Sequence, residues 1–233
     1  MAQHTVQLNV TQSTFLDKTY PNKNYGYLEY LRSGIKDWEW HGNVGTEVSR
    51  YTMLINWSHD VIPPRKKIIS ATLALYSRRF VAAADPDGML LMHEVREDWD
   101  ESTATYNNAR WREGSPVDYR YHGDIPLNSM LYFSLWPNII YDPNGVAIDG
   151  PRLESESAYA EFNSTRASSN KPYIEVVYED VPPSAPTPKS PIGVYKDSRS
   201  VTRFEWQYNS DVGGTQKAFD LQWSTDQANW TTV

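Results

Sequence analysis

The sequence predicts an all-β protein: an antiparallel, jelly-roll-like β-sandwich, then a Pro-rich linker, then an incomplete second β unit. Three observations predict it. Apolar residues recur with period two, and no window of the 233 residues sustains the i, i+3, i+4, i+7 stripe of an amphipathic helix. Turn-forming clusters ("YPNKNYG", "IPPRKK", "ADPDG", "YDPNG", "IDGP") punctuate the alternation. Aromatic residues, which suit the pleated surface of a sheet, make up 13% of the chain.

Taken in chain order, "TVQLNV" and "YLEYLRS" read as strands. "RYTMLINW" follows, with Tyr51, Met53, Ile55 and Trp57 on one face. "SATLALYS" sets Ala71, Leu73 and Leu75 together, and "MLLMHEV" sets Met89, Leu91, His93 and Val95 together. "MLYFSLW" and "SAYAEFNST" are further strands. "PYIEVVYE" places Ile174, Val176 and Tyr178 opposite Glu175 and Glu179. The expected core therefore includes Leu73, Leu75, Leu91, Val95, Trp99, Ile174 and Val176. Many short strands with such punctuation belong to a sandwich or jelly roll, here over residues 1–180.

Composition changes at "VPPSAPTPKSPI", residues 181–192, which hold Pro182, Pro183, Pro186, Pro188 and Pro191. Such a segment favours extended polyproline II and is expected to act as a semi-rigid spacer rather than continue a sheet. Residues 193–233 contain two more alternating runs. One carries Phe204, Trp206 and Tyr208, the other Phe219, Leu221 and Trp223. About forty residues are too few for a complete sandwich core.

Net charge is −7 with no basic stripe, which argues against nucleic acid. No apolar run approaches the ~18–20 residues of a membrane span, so no membrane insertion is expected. The absence of cysteine removes disulfides and thiolate metal sites. "MAQHTVQLNV" lacks the basic and apolar regions of a secretory signal. That start favours a protein released by lysis, hence a virion-associated or otherwise extracellular setting.

Four segments in order carry a resemblance. "TFLDKTYPNKNYG", "RYTMLINWSHDVIPPRKKIISATLALY", "VREDWDESTATYNNARW" and "EFNSTRASSNKPYIEVVY" together resemble the DNRLRE family, β-sandwich modules also described as carbohydrate-binding modules. The match spans residues 14–178. It departs from the family pattern at "NSTRAS", where an acidic residue is missing, and at the long aromatic insertion "SGIKDWEWHGNVGTEVSR". The tail from "PSAPTPKSPIG" onward resembles the first half of a fibronectin type III domain.

The stretch "HEVREDWDESTATYNNARW", residues 93–111, holds five carboxylates and two tryptophans. Glycoside hydrolysis needs two carboxyls ~5–10 Å apart on different elements. Acids crowded on one corner do not define that arrangement. The resemblance gives the corner a structural role, with Trp99 packed on the sandwich end and Ser102, Thr103 and Thr105 satisfying turn backbone groups. No catalytic residue is assigned. Asp17, Asp98, Asp100 and Glu101 could instead hold a structural Ca²⁺ at a jelly-roll rim, although no EF-hand spacing is present. No other cofactor is expected. The five histidines show no ligand spacing.

Trp38 and Trp40 alternate with acids in "KDWEWHG" beside His41, and Tyr119 and Tyr121 repeat the pattern in "DYRYHGD". Planar rings flanked by hydrogen-bonding groups suit stacking on a sugar, contact with a neighbouring subunit, or packing within the chain. Two functions are expected. The first is a non-enzymatic structural or adhesive component of a phage tail, baseplate or tail-like device. Its partners would be copies of itself, other particle subunits or cell-surface polysaccharide. The second is a carbohydrate-binding module at the front of a secreted enzyme or surface protein.

Overall fold

In the computed structural model of the chain, the alternating runs become strands and no α-helix occurs among the described residues. These are residues 2–35, 38–41, 44–47, 49–62, 66–81, 88–111, 115–150, 158–181, 184–190, 203–209, 219–223, 228–229 and 231–232; for 38–41, 44–47, 122, 184 and 223 only the backbone is described. Contacts divide the chain into two units. One comprises residues 2–63 with 68–179, the other 64–67 with 180–233 and residue 1.

The larger unit contains β1 (Gln3–Asp17), β2 (Tyr30–Ile35), β3 (Trp38–His41), β4 (Val44–Glu47), β5 (Arg50–Trp57), β6 (Lys67–Val81), β7 (Met89–Glu94), β8 (Asp118–Tyr121), β9 (Met130–Leu135), β10 (Val146–Asp149), β11 (Ala158–Asn163) and β12 (Tyr173–Glu179). Strand order runs β1-β12-β6-β11-β2-β5, and β5 pairs again with β1, so this circuit closes on itself. β10, β7 and β8 extend from β5, and β9 pairs with β6.

Two strands of fifteen residues make the closure. At ~3.3 Å per residue each is too long for one flat layer and changes partner midway. β1 pairs with β12 through Asn9 and with β5 from Val10, with a register shift between Val10 and Gln12. β6 pairs with β9 over Ala71–Tyr76 and with β11 from Ser77. The result is an antiparallel, sandwich-like body around one main core. β8 and β9 are joined by side chains. Ser134 N donates to Asp118 Oδ2 (2.5 Å), and Arg120 Nε donates to the Tyr132 carbonyl (2.6 Å).

The expected inward faces of β5, β6 and β12 are the observed ones. Tyr51, Met53, Ile55, Trp57, Leu73, Leu75, Ile174 and Val176 are all buried in the main core. Leu73 lies opposite Phe133 and Leu8 opposite Ile174, so the apolar partners meet across strands. β7 differs from expectation. Leu90 and Met92 point into the main core, whereas Leu91 is half-buried and Met89 exposed. Four consecutive apolar residues fit either phase, and a one-residue slip exchanges the faces. Val95 and Trp99 also lie outside the main core, in a second cluster described below.

The smaller unit contains β13 (Ser184–Ser190), β14 (Glu205–Asn209), β15 (Gln222–Trp223) and β16 (Thr231–Thr232). β13 occupies most of the segment expected to be a spacer and pairs antiparallel with β14. Proline is tolerated there because β13 is an edge strand whose register shifts twice, leaving positions that need no N–H donor. Trp206 and Phe219 meet edge to face at 4.7 Å, while Phe204 remains 49% and Phe219 63% exposed.

Candidate functional site

The segment after β7 folds over the outer face of β1, β5 and β10. Leu16, Leu54 and Ala147 on that face form a second buried cluster with Val95 and Ala104. Trp99, Tyr106, Ala109 and Trp111 pack against it. Alternation on β5 thus buries both sides: Met53 and Ile55 inward, Leu54 outward beneath the acidic segment. Trp99 Nε1 donates to the Asn144 carbonyl (2.8 Å), and Val95 N donates to the Gly145 carbonyl (3.1 Å). Gly145 adopts φ +72°, and a Cβ there would lie 2.1 Å from the Ile55 carbonyl oxygen, so only glycine fits.

Glu101 fastens the far end of this cover. Its Oε1 accepts from Ser13 N and Thr165 Oγ1, each at 3.1 Å, and its Oε2 accepts from Arg166 at 2.6 Å. Asn24 Nδ2 donates to the Glu101 and Ala104 carbonyls (2.8 and 2.9 Å). Gly26 sits so close that a Cβ would lie 2.2 Å from the Glu101 carbonyl oxygen. The Glu101 carboxylate therefore ties β1 and the turn after β11 to the acidic corner, and its backbone carbonyl ties the turn before β2.

The other acids are placed separately. Asp100 accepts from both the backbone N–H and the hydroxyl of Ser102, which holds its carboxyl below the usual range; its carbonyl closes the turn to Ala104 N at 2.8 Å. A group held ionised this way is a poor proton donor. Asp98 is exposed and, with Trp99, Asp100 and Asn108, lines an open hollow of about 360 Å³. Asp17 is buried and accepts from Thr19 N and the Tyr25 hydroxyl, each at 2.9 Å. Burial, then Asp17's hydrogen bond and charge, push the Tyr25 hydroxyl's pKa up. Among the described residues no three acids or histidines gather as a metal site, so Asp17, Asp98, Asp100 and Glu101 do not form one cage.

Two acids outside the expected set matter. Asp149 is fully buried and pairs with Arg50 through both carboxylate oxygens, and the Arg50 guanidinium lies 5.8 Å from the Trp111 ring. Glu94 has its carboxyl pKa raised by burial first and then by the Asp142 carboxyl beside it. Sequence spacing carries no sign of either pairing, because Arg50–Asp149 spans 99 residues.

Tyr119 and Tyr121 lie on β8. Register places Tyr119 opposite Leu91 and Tyr121 opposite Met89, so the four share the outer face. The two tyrosines are 46% and 44% exposed and meet edge to face at 5.5 Å. Asp118 and Arg120 alternate with them, point to the opposite face and pair at 2.9 Å. Trp38, Trp40 and His41 are in β3, paired with Glu47, Gly45 and Val44 of β4. Their side chains lie outside the described residues, so the expected aromatic cluster is placed by its backbone alone. No known family model matches the chain, and no curated protein matches it either.

Proposed function

We propose that this chain is a non-enzymatic structural and adhesive module, carried on an extracellular particle such as a phage tail, baseplate or tail-like device. The observation that carries the reading is the outer face of β7 and β8, where Met89, Leu91, Tyr119 and Tyr121 form one aromatic and apolar surface. Tyrosines on paired strands lose little side-chain freedom on contact and offer both a flat ring and a hydroxyl. The partners are further copies of the chain, other subunits of the particle, or polysaccharide of a cell surface. The non-enzymatic part is supported by the acidic corner, whose buried carboxylate is occupied by three donors and whose Asp100 is held ionised.

A second reading, a carbohydrate-binding module in front of an enzyme or surface protein, is favoured by the exposed edge-to-face Tyr119–Tyr121 pair. The motifs resembling the DNRLRE family point the same way. Changing Tyr119 and Tyr121 to Ala together tests both readings. Loss of self-association in sedimentation velocity, with melting unchanged, is the outcome expected of the adhesive subunit. Loss of polysaccharide retention by a protein monomeric throughout favours the second. A double variant identical to wild type in both assays contradicts the assignment of this face.

A further inference from the structure

The two strands of the β13–β14 sheet have unlike edges. β13 holds Pro186, Pro188 and Lys189, and at each of its two register shifts against β14 it carries the extra residue. Prolines, lysines and bulges are the devices that keep an edge from pairing further. β14, Glu205–Asn209, has none of them, and β13 is its one strand neighbour among the described residues. Two strands alone make a marginal sheet, so a third strand on the β14 side adds stability.

Charge and shape say what that third strand is. Arg203 Nε pairs with Glu205 at 3.1 Å, so this edge is neutral within a chain of net charge −7. Trp206 and Tyr208 share one face of β14, while Glu205 and Gln207 are exposed on the other. Trp206 lies opposite Pro188 and belongs to an apolar groove of about 310 Å³ with Pro186, Phe204, Phe219 and Leu221. Asn209 Nδ2 donates to the Ala185 carbonyl and to Thr187 Oγ1, each at 2.8 Å, and holds β14 in register on β13.

We propose that β14 pairs antiparallel with β14 of a second copy of the chain, about a twofold axis at Gln207. The inference rests on the reading that copies of the chain are its partners, and it places a contact in the smaller unit, apart from the tyrosines of β8. The register centred on Gln207 is the antiparallel one that matches all five residues of the strand. It sets Trp206 opposite Tyr208 of the second copy, twice over, and Glu205 opposite the neutral Asn209. A register centred on Glu205 would instead set two carboxylates face to face. The resulting order is β13-β14-β14-β13, whose outer edges are both the proline-bearing strand, so pairing stops at two copies. A five-residue ladder is a small contact, so the pair is short-lived and is read by trapping rather than by sedimentation.

The chain has no cysteine, so a single introduced thiol reports a single position. The test oxidises the full chain carrying Gln207→Cys or Glu205→Cys with copper(II) phenanthroline, each also combined with Tyr119→Ala and Tyr121→Ala. Facing residues of an antiparallel ladder have Cα atoms about 4.5–5.5 Å apart, within disulfide reach. Two copies of residue 205 would lie about 13 Å apart along the same ladder. Gln207→Cys should therefore form the covalent dimer at least about tenfold faster than Glu205→Cys, with the tyrosines present or removed. Equal rates at the two positions, or no dimer from Gln207→Cys, overturn the proposal and leave the tyrosine face standing. Linking lost along with the tyrosines overturns it too, because copies then meet through β8. Linking retained in a tyrosine variant that sediments as wild type keeps the β14 contact and removes the β8 one.

Discussion

Leu54 and Tyr119 belong to one outer face, yet Leu54 is fully buried and Tyr119 is 46% exposed. Register carries that face across the sheet: Leu54 lies opposite Ala147, Ala147 opposite His93, and two residues back along β7 Leu91 lies opposite Tyr119. What separates the halves is the covering segment. Residues 95–111 seal β1, β5 and β10 with Trp99, Tyr106 and Trp111, while Met89 at the start of β7 and the tyrosines of β8 stay exposed. An acid-rich composition thus marks a cover whose aromatic side chains make the seal and whose buried carboxylate makes the fastening. The uncovered half leaves Tyr119 and Tyr121 exposed.

The largest expected effect comes from the covered half. Leu54→Ala should cost about 2–5 kcal/mol in urea denaturation, as a buried leucine does in a main core. A loss under about 1 kcal/mol would mean that the outer cluster is loosely packed. Glu101→Ala should cost about 1–3 kcal/mol, because the buried Ser13 N–H loses its acceptor; Arg166, 56% exposed, rehydrates and adds little. Equal melting curves for wild type and Glu101→Ala would remove the fastening role.

Glu94 supplies a smaller effect with a definite sign. Its folded pKa is raised, so the native state holds the proton more tightly than the unfolded chain, and the associated stability is present below the unfolded carboxyl pKa. That stability is lost as pH rises through the higher folded value. Glu94→Gln should therefore melt above wild type at pH 7 and converge with it toward acid. A variant less stable than wild type at pH 7 would show that the ionised form is the one accommodated. Smallest of all, Asp98→Asn with Asp100→Asn should leave the urea midpoint in place and insensitive to chelator. A chelator-dependent wild-type melt abolished by that pair would restore the Ca²⁺ reading.

The legible part of the fold was set by alternation with polar partners. Ile174 and Val176 against Glu175 and Glu179 admit one phase, and that phase is observed. "MLLM" in β7 admits two, and only its neighbours in space choose between them. The Pro-rich segment reads as a spacer by composition, but an edge position with two register shifts removes the objection to proline. At the corner, Trp99's packing is what the resemblance implies, whereas the Ser102 hydroxyl bonds the Asp100 carboxylate, and Asp100 and Asn108 side chains, rather than hydroxyls, accept the Ser102 and Thr105 N–H groups. Glu101's partners follow from no local residue type, because Ser13 and Thr165 stand 88 and 64 residues away and no spacing signals them.

Native-state hydrogen exchange of residues 95–111 tests most directly whether this segment is a packed cover. Val95, Ala104, Asn107 and Ala109 donate their N–H groups to Gly145, Asp100, Pro21 and Thr105 carbonyls. If the segment is part of the folded core, these amides open with free energies within about 1–2 kcal/mol of those in β5. Exchange at the rate of an unprotected loop, while β5 stays protected, would contradict it.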